Sequence, residues 1–307
     1  MLKSSTIKDL AHRAGFDLCG ITSCRHFAEN EHHFREWLAA GYGADLLYLE
    51  RNLDKRFDVA KLVEGVKTII VCAVNYKSAR SLGYPTPNHR TKIASYACNR
   101  DYHSVIKEML TTLYASLKEI VPSLKARAFT DSAPLLEKQL AVEAGLGWIG
   151  RQSLLVTPSF GTFVLLGELV IDQEVDSYDS PFVGSRCGEC HRCIEACPNS
   201  AILPTMEIDA RCCISRLTIE KEMTGEPNST SLDGWIFGCD ACQSCCPHNR
   251  TTPCATNPNF ATPLFDPASL SAEEWLTMTK EQFSERFGNT PLIRSGLPRI
   301  QKNINQD

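Results

Sequence analysis

Eleven of the chain's fifteen cysteines fall between residues 187 and 254. Cys187, Cys190, Cys193 and Cys197 stand at C-x2-C-x2-C-x3-C spacing, and Pro198 follows the last. Three thiolates so close in sequence wrap three corners of a [4Fe–4S] cube, while the cysteine before proline reaches a second cube. A second run holds Cys239, Cys242, Cys245 and Cys246, with Pro247 after it. Read as Cys239-x2-Cys242-x3-Cys246-Pro247, it repeats the ending of the first and leaves Cys245 a bystander. Two cubes take about eight thiolates, and the runs supply Cys187, Cys190, Cys193, Cys197, Cys239, Cys242 and Cys246. The remaining ligand comes from Cys212, Cys213, Cys245 or Cys254. Pairs of C-x2-C also bind structural zinc, but the repeated Cys-Pro ending argues for iron–sulfur. Two neighbouring clusters form an electron wire, and the residues before 187 are where it should end.

The rest of the chain bounds what such a wire serves. Its 307 residues are 43% hydrophobic and 22% charged, the composition of a soluble globular protein. The formal net charge of −4 means that nucleic-acid binding would need a local patch. Candidate patches are Arg186, His191 and Arg192, and Arg294, Arg299 and Lys302. No apolar run reaches the roughly 18 residues of a membrane span. The start lacks the apolar core and cleavage site of an export signal. A cytoplasmic location is expected, where disulfides are rare.

Certain elements must carry the sites. Residues 68–76 read as a buried strand, and 126–130 and 163–171 as further strands. Residues 103–120 place Val105, Ile106, Met109, Leu110, Leu113, Leu117 and Ile120 on one helical face. Residues 134–145 open with Pro134 in the first turn and close on Gly145, a helix signature. Further helices are expected near the start and over about 271–287. Alternating strands and helices predict a layered α/β (α+β) domain over 1–180. A ferredoxin-like domain over 181–255 and a partly helical extension over 256–307 follow.

Larger stretches carry a resemblance. "YACNRDYHSVI" (96–106), "DSAPLLEKQLAVEAGLGWIGRQSLLV" (131–156), "GTFVLLGELV" (161–170), "CISRLTIE" (213–220) and "GCDACQSCCPHN" (238–249), with the first cysteine run, resemble the epoxyqueuosine reductase family. These are cobalamin-dependent iron–sulfur enzymes of queuosine synthesis in tRNA. The resemblance implies a corrinoid-binding domain followed by the cluster domain. One [4Fe–4S] cluster would then use Cys187, Cys190, Cys193 and Cys246, and the other Cys197, Cys213, Cys239 and Cys242. The implied reaction turns the epoxide of the modified wobble base into an alkene.

Asp131 would be the general acid that protonates the epoxide oxygen. That role calls for a raised pKa, through burial or a like charge. The resemblance sets Asp131, Arg56, Ser153, Leu155, Ser215, Asp240 and Gln243 beside cobalamin. Cys98 either faces cobalt or is a small buried hydrophobe, and Trp148 reads as core. D-x-H-x-x-G, the motif of a cobalt-ligating histidine, is absent, which implies base-off cobalamin without that ligand. The expected partners are tRNA, through an anticodon loop carrying epoxyqueuosine, and a low-potential electron donor, with no membrane and a monomeric state. The chain resembles a short form without C-terminal helical repeats. Two alternatives are a reductive dehalogenase-like enzyme acting on a small substrate and a non-enzymatic ferredoxin-like electron carrier.

Overall fold

The computed structural model describes residues 1–84, 89–220 and 230–306. Its strands, in chain order, are β1 (Leu18–Ser23), β2 (Thr68–Asn75), β3 (Lys92–Ile93), β4 (Ala126–Phe129), β5 (Trp148–Ile149), β6 (Leu155–Val156), β7 (Val164–Ile171) and β8 (Trp235–Phe237). Four of them form one sheet in the order β1-β2-β7-β4, and every neighbouring pair is antiparallel. The fold is therefore α+β within the layered class the sequence predicts.

All eight residues of β2 are buried, because both faces of the sheet are covered. Alternation assigns the faces. Ile70, Cys72 and Val74 pack with the helices Ser4–Arg13 and Tyr102–Ile120. Ile69, Val71 and Ala73 pack with Phe57 and with Leu140 and Ala141 of the helix Glu137–Glu143. Asp101 caps the long helix by accepting the His103 N–H at 3.0 Å. Six of the seven apolar residues expected on its inner face are buried, but Ile120, in its last turn, is 50% exposed. Gly167 lets this helix approach the sheet, since a Cβ there would strike Ile106.

Two helices depart from expectation. The segment expected over 134–145 becomes helical only at Glu137 and ends at Glu143. Asp131 opens it with φ +46°, so the residues that follow, Pro134 included, form an irregular turn before the helix. The stretch 271–287 is two helices, Ala272–Thr277 and Lys280–Phe287. Ser271 and Thr279 each start one with a capping box, so a new helix begins where continuation was expected.

The cluster segment is held by short elements, among them the helices Arg192–Glu195, Ile214–Ile219 and Ala241–Ser244. β3 pairs in parallel with β8, which joins the N-terminal half to the end of the cluster segment. Trp275, Phe287, Leu292 and Ile300 from the tail pack against Ile93, Ile236 and Phe237. Each such buried side chain contributes roughly 1.5–3 kcal/mol. No described helix is long and apolar enough to cross a membrane.

Candidate active site

The eight expected ligand cysteines fall into two groups, and each group draws on both runs. Cys187, Cys190, Cys193 and Cys246 line one small cavity with Gln152, Pro247 and His248. Cys197, Cys213, Cys239 and Cys242 line the wall of a larger cleft of about 450 Å³. Tight turns aim these thiols: the Cys190 N–H donates to the Cys187 carbonyl and the Cys246 N–H to that of Gln243, both at 3.0 Å. Burial pushes the Cys239 and Cys242 thiols up, and neighbouring Cys213 reinforces this in both. Among the described residues, no group of three or more His, Cys, Asp or Glu converges on a single-ion site.

The other cysteines stand apart from these two cavities. Cys245 is near the first group, but its Sγ faces the Cys242 carbonyl at 3.4 Å. Cys212 faces Asp209 at 4.0 Å, and Cys254 is exposed. Cys98 is 3% exposed, with its Sγ 3.8 Å from the Ala94 carbonyl, which is the small buried hydrophobe of the two readings. Trp148 is buried between Phe182 and His248, as a core residue would be.

Around the cleft, Tyr76, Leu154, Val164 and Leu166 give an apolar surface with a few polar groups set into it. Asp240 is buried beside the second thiol group. It accepts the Ser95 N–H at 2.7 Å, the Ser95 hydroxyl at 2.6 Å and the Gln243 amide at 3.3 Å. Gln243 in turn accepts from Tyr76 and Thr162 at 3.3 and 3.0 Å. This closed network fixes the wall between thiols and cleft. Ser153, at φ +56°, and Ser215 also line the cleft. Ser153 donates to the Met206 carbonyl at 2.8 Å and accepts Lys138 Nζ at 2.5 Å.

Two expected contacts do not line this cleft with their side chains. Leu155 is turned into the core on β6, and the preceding Leu154 faces the cleft instead. The cause is the one-residue alternation of a strand. Arg56 does not line the cleft, because its guanidinium lies over Phe34 at 5.6 Å.

Asp131 stands where the cleft meets a second cavity of about 260 Å³ lined by Tyr48, Asp101, His103, Glu220 and Arg294. Its Oδ2 accepts the Tyr102 hydroxyl at 2.5 Å and lies 3.6 Å from His103 Nε2. His103 Nδ1 is 2.8 Å from Asp101. Burial pushes the Asp131 carboxyl up, but His103 and Tyr102 outweigh it, and the group sits below its ordinary value. This reverses the expected direction. Bonds to Asp101 first and to Asp131 second raise His103 to about 9, so at neutral pH the pair keeps its proton on the imidazole.

Tyr102 and His103 were missed as site residues, although both lie in the quoted stretch 96–106. Glu137 and Lys138, which also line the cleft, sit in the stretch 131–156. Glu220 closes the quoted stretch 213–220 and Arg294 belonged to a candidate basic patch, whereas Tyr48 carried no motif signal.

Two thiol groups placed to carry clusters, one of them walling a cleft with a proton-bearing pair at its edge, define an iron–sulfur oxidoreductase. Residues 56–132 match the family model described as Epoxyqueuosine reductase QueG, DUF1730. Residues 186–249 match a 4Fe-4S double cluster binding domain. The epoxyqueuosine reductase of Cyclobacterium marinum is 40% identical over 97% of this chain and 94% of its own. A solved epoxyqueuosine reductase in complex with an epoxyqueuosine-modified tRNA-Tyr stem loop superposes with TM-score 0.87 at 25% identity, covering 98% of this chain and 80% of that one. The Streptococcus thermophilus structure gives TM-score 0.83 at 27% identity with the same coverage. The chain belongs to the epoxyqueuosine reductase family.

Proposed function

We propose that this protein reduces the epoxide of epoxyqueuosine in tRNA to the alkene of queuosine. The observation that carries the reading is the cleft itself, walled by Cys197, Cys213, Cys239 and Cys242 and reaching Asp131. Family membership supports the substrate, through the relative solved with a modified tRNA stem loop.

The two clusters would be held by the two thiol groups described above. The group Cys187, Cys190, Cys193 and Cys246, set off from the cleft, is the entry for a low-potential donor. Cobalamin suits the cleft's amphipathic surface: apolar and aromatic walls take a broad flat group, while Ser153, Ser215 and Gln243 offer polar contacts at its edge. Gln152 Nε2 is buried in this wall with no partner among the described residues, as a donor awaiting a bound amide would be. When bound, clusters and cobalamin supply two low-potential electrons to the reacting C–O bond.

The protein's own groups handle the protons. Opening the epoxide to an alkene consumes two electrons and two protons and releases water. An alkoxide leaves poorly, so the oxygen must be protonated as its bond breaks. His103 stores that proton, and Asp131 passes it on from the cleft edge. Tyr102 orients the carboxylate. The second cavity, with Asp101, Glu220 and Arg294, admits the nucleotide. Arg299 does not belong to the tRNA surface in this reading, because its guanidinium is turned inward to the Leu217 carbonyl. A cytoplasmic location follows from a tRNA substrate.

The deciding experiment is anaerobic reconstitution with iron, sulfide and cobalamin, followed by incubation with epoxyqueuosine-containing tRNA and a low-potential reductant. Nucleoside mass spectrometry should show queuosine that depends on cobalamin. Cobalamin binding without queuosine would refute the substrate.

A further inference from the structure

Behind Asp131 lies a pair of acids that the chemistry above does not use. Glu168 sits within β7, paired with Val71 on β2 and Phe129 on β4. It is 0% exposed, and neither carboxylate oxygen has a hydrogen-bond donor among the described residues. What it meets is another acid, Glu137, the first residue of the helix Glu137–Glu143. The helix that carries Glu137 packs on β7, and the charge of Glu137 adds to burial in pushing the Glu168 carboxyl up. Two carboxylates so placed, away from water, cannot both be ionised. One proton between them turns repulsion into an O–H···O bond and gives the orphaned oxygens a partner.

Glu137 has a second contact. Its Oε1 accepts the Asp131 N–H at 2.6 Å. Asp131 is at φ +46°, a conformation that costs a residue with a Cβ about 1 kcal/mol or more. The carboxylate of Glu137 thus holds the turn that aims Asp131 at the cleft.

We propose that Glu137 and Glu168 share a single proton at neutral pH, and that this acid pair is a positioning device for the Asp131 turn. The charged and titratable groups around it come from each neighbouring element. Asp131 faces it from the turn, Lys138 from the same helix, and Cys72 from β2. Tyr102, His103 and Arg294 act on the far side of Asp131.

The first test is infrared spectroscopy of the reconstituted protein at pH 7. Wild type minus Glu168→Gln should show the carbonyl stretch of a protonated carboxyl group. Thermal unfolding gives a second reading. A carboxyl with its folded pKa above the unfolded one loses stabilising influence as pH rises past the unfolded value. The Tm of Glu168→Gln should therefore gain on wild type between about pH 5 and about pH 8. If that variant fails to fold, wild type minus Glu137→Gln reads the same band. No carbonyl band together with parallel stability curves overturns the shared proton.

Positioning is read from kinetics. Glu137→Ala should lower kcat tenfold or more at unchanged KM and unchanged iron and cobalamin content. Glu137→Gln, whose amide oxygen still accepts the Asp131 N–H, should recover part of that loss. Wild-type kcat in Glu137→Ala overturns the positioning role. The infrared and unfolding readouts need no substrate, so their outcome stands whether or not epoxyqueuosine is the substrate.

Discussion

Replacing His103 with glutamine tests whether the proton for the reaction is stored on the imidazole. His103 Nδ1 lies 2.8 Å from Asp101 and Nε2 lies 3.6 Å from Asp131. Bonds to these two acids, set against burial, raise the ring from 6.5 to about 9. At about 1.4 kcal/mol per unit that shift corresponds to roughly 3 kcal/mol. The side chain is 31% exposed, and solvent screening reduces the figure to about 1–2 kcal/mol. Because the folded value lies above the unfolded one, this stabilisation is complete below about pH 6.5 and is lost as pH rises through about 9. His103→Gln should lower Tm by about 2–6 °C near pH 7 and leave a smaller gap near pH 10. A pH-independent remainder would reflect the lost ring stacking on Tyr102, whose centroid is 4.1 Å away. In the queuosine assay, wild-type turnover should fall above about pH 9 as the imidazole deprotonates. The variant should be slower by roughly a hundredfold at pH 7, within the usual range for general acid catalysis. It should also lack that alkaline inflection. The quantity to report is the ratio of variant to wild-type turnover, because any effect of pH on the reductant cancels. A ratio that stays constant from about pH 6 to about pH 10 would refute the storage of the proton on His103.

Further outcomes follow from the same geometry. Asp131→Asn should cut turnover at least roughly a hundredfold while iron content and the cobalamin spectrum match wild type, since it removes the proton carrier alone. Cys213→Ser should lose one cluster, read as about half the iron and sulfide, whereas Cys245→Ser should keep both. Trp275→Ala, at a site with 0% exposure that stacks on Phe287, should cost about 3–5 kcal/mol in chemical denaturation.

How much of this was legible in the sequence depends on the range of the interactions involved. The cysteine runs were legible because cluster geometry is imposed on near neighbours in the chain. The inner face of the helix Tyr102–Ile120 was legible because helical periodicity is local, and only Ile120, in its last turn, left the pattern. The break at Thr279 was harder to read. The apolar rhythm of 271–287 continues through it, and only the side-chain caps of Ser271 and Thr279 mark two starts. The placement of Leu154 in the cleft, with Leu155 in the core, turns on a single residue of register at the start of a two-residue strand.

The protonation of Asp131 was not legible, and the reason is tertiary. Taken alone, an aspartate destined for a cleft beside a corrin invites a raised pKa, because burial favours the neutral acid. The direction depends on what the fold brings within hydrogen-bond reach. Tyr102 and His103 lie 29 and 28 positions earlier in the chain, at the start of a helix on the far side of β4 in sequence. Their approach requires the capped helix start at Asp101, the left-handed turn at Asp131 and the acceptor from Glu137 that holds it. Once those three features coincide, a charged imidazole and a phenol stabilise the carboxylate more than burial opposes it. The acid is then a pair of residues rather than one. Its operating pH is set by the imidazole, and its aim by the turn.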